Sequence, residues 1–134
     1  MESDAAESQS GPEISSLIAR FEDISRVLDA TNSTLSIDPM LAELARELEV
    51  AGELEKVKPA VLWVLRSSDC SAAVEIVQFL AFRFRWQWLK IGVEEALLDA
   101  TERRDLRAAR AFEVMLEAFS DDWEDIDLFP SLAN

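Results

Sequence analysis

The stretch LLDATERRDLRAARAFEVMLEAF, residues 97–119, decides the fold class. Within it Leu106, Ala109, Phe112, Leu116 and Phe119 recur at three- and four-residue intervals, a spacing that lines one face of a helix and that no strand can use. Just upstream Trp88, Leu89, Val93, Ala96 and Leu97 repeat the pattern, so the region reads as two helices, over 86–99 and 103–119, joined at a polar turn. Working back along the chain, Ala73, Ile76, Val77, Leu80 and Phe84 share a face of a helix over 70–84, capped by the turn Ser67, Ser68 and Asp69. A helix from Glu53 or Pro59 to Arg66 precedes it, with Pro59 opening it or kinking its first turn. Met40, Leu41, Leu44, Ala45 and Leu48 mark another, with Asp38 as N-cap, Pro39 as first helical residue and Gly52 as its stop. Before it lies a polar loop over 31–37. Ile14, Leu17, Ile18, Phe21, Ile24 and Leu28 give a first helix of about four turns, starting near Pro12.

No strand competes with these helices. The run Phe82 to Trp88 alternates like one, but it lacks the Gly or Asn turn that a hairpin needs. The expected architecture is all-α, about six helices in antiparallel hairpins or an irregular helical bundle. Its expected organisation is a flexible tail over 1–12, a single helical domain over 13–120 and an acidic C-terminal segment over 121–134.

A shift of 36 residues pairs Leu62 with Leu98, Asp69 with Asp105, Ala72 with Ala108, Ala73 with Ala109, Ile76 with Phe112, Phe79 with Met115 and Leu80 with Leu116. Ten helical turns also span that shift, so periodicity alone explains part of the match; the shared Asp and the paired Ala are less easily explained that way. The residues Leu97, Leu98 and Asp99, then Asp105, Leu106, Arg107, Ala108 and Ala109, resemble the HEAT-repeat pattern, in which an Asp and an Arg border the turn and small residues let the second helix pack closely. The resemblance covers about half the chain; Ser71 stands in the first unit where the second has Arg107. It implies a stack of about three helical hairpins, a scaffold that binds macromolecules.

Composition narrows the function. The chain has 134 residues, 49% of them hydrophobic, with 27 acidic and 13 basic side chains and a net charge of −14. Half-apolar composition is too rich for a disordered acidic protein. With no His and no Tyr, His-based acid-base chemistry and His-containing triads or metal sites are excluded, and a single Cys, Cys70, excludes an intrachain disulfide. The three glycines, Gly11, Gly52 and Gly92, make no phosphate-binding loop. An EF-hand starting at Asp121 would need Gly at Ile126 and Glu at Leu132. No catalytic residue, cofactor or metal ligand is therefore expected, and the chain is read as a non-enzyme. The N-terminal MESDAAESQSG lacks the basic and apolar regions of a signal peptide, and the longest apolar run, six residues from Ala60, is too short to span a bilayer; the expectation is a cytoplasmic protein that engages neither membrane nor nucleic acid.

The acidity is segregated. Residues 1–65 hold 13 acids and 5 bases, residues 66–110 hold 7 acids and 8 bases, and residues 111–134 hold 7 acids and no base. The densest part interleaves carboxylates with apolar groups, and its Asp121, Asp122, Trp123, Glu124, Asp125 and Asp127 are the candidate partner-binding residues: a ring to fill a pocket, charges to engage Lys or Arg around it. Two basic clusters carry less weight. Arg103, Arg107 and Arg110, with Arg104 beside them, have local counterions in Asp99 and Glu113. The run Phe82-Arg83-Phe84-Arg85-Trp86-Gln87-Trp88 has the aromatic-basic interleaving of single-strand binders, yet a helix-to-helix corner explains the same residues.

Small acidic helical chains of this kind, with the closing AFSDDWED of residues 118–125, are also similar to bacterial immunity proteins of polymorphic or contact-dependent toxin systems. That similarity implies a protein that occludes a basic, nuclease-type toxin domain. A helical adaptor presenting a peptide groove is the alternative, and nucleic-acid mimicry a remote third.

Overall fold

A computed structural model describes the backbone of residues 2–51, 54–67 and 70–132, and the side chains of 16–49, 57–67 and 70–132. Six α-helices follow one another: α1 (Glu2–Thr31), α2 (Thr34–Ala51), α3 (Leu54–Arg66), α4 (Ala73–Phe84), α5 (Gln87–Glu102) and α6 (Leu106–Glu117). Two short 3-10 helices, Glu124–Leu128 and Pro130–Leu132, close the chain. Among the described residues there is no strand.

The helices form three hairpins, α1 with α2, α3 with α4 and α5 with α6. Successive hairpins stack in register, α1 on α3 and α3 on α5 in one layer, α2 on α4 and α4 on α6 in the other. The all-α class and the six helices are those expected from the sequence. The core runs through the first two hairpins: Phe21, Ile24, Ile37, Leu41, Leu44, Val61, Ile76, Phe79 and Leu80 are all essentially inaccessible to solvent. The last hairpin buries less, chiefly Leu89, Val93, Ala100 and Met115.

Helix boundaries depart from the sequence reading at several places. Helix α1 runs back to Glu2, through the segment expected as a tail, whose side chains lie outside the described residues. The polar loop over 31–37 shrinks to Asn32 and Ser33, because Asn32 turns the chain with a left-handed backbone, φ 53°, which its short polar side chain tolerates. Helix α2 then starts at Thr34, and Asp38 and Pro39 lie inside it; Asp38 is not its cap. Helix α3 starts at Leu54, so Pro59 falls within it. The expected stop at Gly52 and the capping turn at Ser68 and Asp69 lie outside the described residues.

Helix α4 begins at Ala73, three residues later than expected, and its N-cap residue Ala72 has no side chain with which to cap. The cap comes from α1: Ser25 Oγ accepts the Ala72 N–H at 3.1 Å and lies 3.2 Å from the Cys70 Sγ. Helix α5 continues to Glu102, three residues past the expected end, and α6 begins at Leu106 after Arg103 and Arg104 turn the corner. Here the sequence reading of an Asp at the turn holds, since Asp105 Oδ1 caps α6 by accepting the Ala108 N–H at 3.1 Å.

Candidate functional site

The acidic C-terminal segment crosses the layer formed by α2 and α4. What holds it there is an aromatic nest. Trp123 stacks on Phe129 with ring centroids 5.5 Å apart and lies 5.6 Å from Phe82, while Phe129 meets the edge of Phe79 at 5.7 Å. Phe79 and Phe82 lie three residues apart on α4, so helical spacing alone places both under the segment. Phe129 is 0% exposed and Trp123 5%. Ring pairs of this geometry contribute about 0.5–1.5 kcal/mol each beyond the area they bury.

A polar clasp fixes the end of the segment. The Asp38 carboxylate, only 6% exposed, accepts the Ser131 hydroxyl at 2.7 Å and the Ser131 N–H at 3.2 Å. The tertiary partner, 93 residues away, explains why Asp38 sits inside α2 and not at its end.

The start of the segment is held by Arg85. This residue terminates α4 in the left-handed conformation, φ 58°, which glycine usually fills at that position. Its side chain supplies what glycine would lack: Nη1 donates to the Phe119 carbonyl at 2.8 Å, Nε donates to the Phe82 carbonyl at 3.2 Å, the guanidinium lies 4.7 Å from the Phe82 ring, and Nη2 pairs with Asp121 at 3.3 Å.

These anchors point one set of groups inward and another outward. Asp121, Asp122, Glu124, Asp125 and Asp127 are all exposed, whereas Trp123, read from sequence as a ring offered to a partner, is buried. Its burial departs from that expectation for a plain cause: Phe82 and Phe129 already occupy its ring. Asp121 is paired with Arg85 and Asp122 accepts from the Ser120 hydroxyl. Among the described residues Glu124, Asp125 and Asp127 have neither an ion pair nor a side-chain hydrogen bond. Three uncompensated carboxylates thus occupy a single 3-10 helix whose backbone is docked on the core.

Asp38, Ser131, Phe79, Phe82 and Arg85 escaped the sequence reading as parts of this site. The residue types gave no warning for Asp38, because the dipeptide Asp-Pro is an equally good helix start. For Arg85 and Phe82 the interleaved aromatic-basic run was the signal, and its functional meaning was discounted in favour of a corner. The corner is also present: Phe84, Trp86 and Trp88 form a stacked ladder, at 4.6 and 5.0 Å, closed by Arg83 over Phe84 and Lys58 over Trp88.

The other basic cluster is half neutralised. Arg103 pairs with Asp99 at 2.9 Å and lies 3.7 Å from Asp105, and Arg110 lies 3.6 Å from Glu113, the local pairing expected from spacing. A cleft of about 350 Å³ lies elsewhere, lined by Arg20, Asp23, Ile24, Pro39, Met40 and Glu43 between α1 and α2. It is crossed by the ion pairs of Arg20 with Glu43 and Glu47.

Cys70 is 5% exposed; burial pushes its thiol pKa up, opposed by the hydrogen bonds from Ser25 and the Ala72 backbone, with Glu22 and Glu75 adding to the rise. Such a thiol carries little thiolate and serves packing. No group of three or more His, Cys, Asp or Glu among the described residues is placed to hold a metal ion, and no described helix is long and apolar enough to cross a membrane. No family model, curated protein or solved structure matches the chain.

Proposed function

We propose that this chain is a non-catalytic inhibitory binder, of the immunity-protein type, that occludes a basic partner domain through its C-terminal carboxylates. The observation that carries the reading is the docked segment with Glu124, Asp125 and Asp127 outward and without counterions. A free acidic tail would have to be ordered on binding; a segment riveted by Trp123, Phe129 and Asp38 has already lost that freedom, which lowers the cost of association. Basic clefts that grip phosphate are the surfaces such an array complements, so a nuclease-type toxin domain is the partner class. The chain's net charge of −14 steers it there and away from polyanions. The action is intracellular in this reading, in the compartment where the partner would do damage.

The test is co-expression with a basic toxin domain, sought in the gene adjacent to this one, scored by cell survival and co-purification. The variant Glu124→Gln/Asp125→Asn/Asp127→Asn keeps every anchor and loses the charges. Loss of protection with an unchanged helical spectrum supports the inhibitor. Retained binding moves the interface to the helical faces, as the adaptor alternative requires; the cleft beside Arg20 and Met40 is its starting place.

A further inference from the structure

Helix α6 is charged against its own dipole. A helix is stabilised by acids near its N-terminus and bases near its C-terminus. In α6 the first half carries Arg107 and Arg110 and the second half Glu113 and Glu117, with no acid in the first turn and no base in the last. All four are exposed, as is Leu106 at 80%. The helix packs inward on α4 and α5 through its other side, on which Met115 is buried, and among the described residues the Arg110–Glu113 contact is the only ion pair these four charges make within one copy. Arg107 and Glu117 have no ion pair among the described residues, and the contact between Arg110 and Glu113 is long, at 3.6 Å.

Leu106, Arg110, Glu113 and Glu117 follow one another at four-, three- and four-residue steps, a single stripe down the helix, with Arg107 at its flank. Reversed end for end, the stripe is its own electrostatic complement. We propose that this outward stripe of α6 docks on the same stripe of a second copy of the chain, the two helices antiparallel about a two-fold axis between residues 111 and 112. Arg110 then faces Glu113 of the partner subunit, and Arg107 reaches Glu117 of the partner subunit. Val114 covers the apolar stems of these pairs from the flank, and Leu106 lies at the end of the stripe against the stem of Glu117 of the partner subunit. Each contact occurs twice, as a two-fold interface requires, and the antiparallel helices oppose their dipoles. A polyanion is the poorer occupant, since Glu113 and Glu117 share the stripe with the arginines.

The inference does not rest on the inhibitory reading, which concerns residues 121–127, and its test leaves those untouched. The whole chain is sedimented to equilibrium at low and high salt at up to about 1 mM, a concentration that populates even a millimolar contact. The wild type is expected to approach twice its 15.1 kDa at low salt and to dissociate as salt is added. R107E/R110E and E113K/E117K should each stay monomeric alone and dimerise when mixed. The fourfold variant R107E/R110E/E113K/E117K restores complementarity within one chain and should dimerise by itself. All four positions are exposed, and circular dichroism checks that each variant is folded. A wild type that stays at 15.1 kDa throughout, reversed variants that self-associate as well as it does, or a mixture that remains monomeric would overturn the proposal.

Discussion

Trp123 spends its ring inside the protein and leaves its charged neighbours outside. Its indole Nε1 is buried with no hydrogen-bond partner, so shape and ring contact, not a polar bond, hold it. Replacement by Phe should therefore cost little, because it removes an unsatisfied donor along with some area, whereas Trp123→Ala should cost about 3–5 kcal/mol through the cavity it leaves. Urea unfolding of the two variants separates these outcomes. Glu75, in the first turn of α4, is the other residue whose setting has a measurable consequence. Burial raises its carboxyl pKa, against the lowering effect of its own backbone N–H, and one carboxylate oxygen is buried without a partner. A group whose folded pKa lies above its unfolded value is destabilising while ionised, so stability increases as pH falls through the folded pKa. Glu75→Gln, which is neutral at every pH, should raise Tm at neutral pH, and the gain should vanish in acid where the wild-type carboxyl is itself protonated. A gain that persists unchanged in acid would assign the effect to something other than charge burial.

At the scale of helices, periodicity was legible and termini were not. Among the described residues the apolar stripes of α1, α2 and α4 became the core or lie against it, as do Phe112, Leu116 and Phe119 of the last stripe, because a 3.6-residue repeat depends only on local geometry; Leu106, expected to open that last stripe, is 80% exposed. The start of α4 went unread because it depends on a residue far away in the chain, Ser25 for Ala72, and that of α2 because it follows the left-handed turn at Asn32, while Asp38, expected as its cap, bonds Ser131 from inside the helix. Asp105 was legible as a residue of the turn, and its capping of α6 is a local bond to an N–H three residues on, although the helix it caps starts three residues later than expected. The candidate site divides the same way. Its exposed carboxylates could be read as a local charge cluster, while the burial of Trp123 depended on Phe82, 41 residues earlier, and on the path of the chain between them. The cross-chain cap gives a test at this scale: Ser25→Ala should cost about 1 kcal/mol and raise amide exchange at the start of α4 ahead of the rest of the helix. Exchange rising evenly over α4 and α6 would mean that Ser25 acts on the core as a whole. Asp38→Ala should act on the C-terminal segment alone, exposing the 3-10 helices to exchange at a cost of about 1–3 kcal/mol from the two unpaired Ser131 donors.

The molecule as a whole is a stack of three helical hairpins with its charge sorted along it. The middle of the sequence, 66–110, is close to neutral, and the excess acid lies before and after it. In the fold the later part of that excess becomes an ordered rim across α2 and α4, not a tail. Charges presented in this way chiefly change how fast a partner arrives, since exposed pairs contribute little once formed. The decisive measurement is the association rate of this chain with a basic domain of the class proposed as its partner, at low and high ionic strength, for the wild type and for Glu124→Gln/Asp125→Asn/Asp127→Asn. The expected result is a wild-type rate that falls steeply with salt and a variant that is slow at low salt and nearly flat across the range. Equal rates for the two proteins at low salt, or a wild-type rate indifferent to salt, would contradict the role given to the acidic rim.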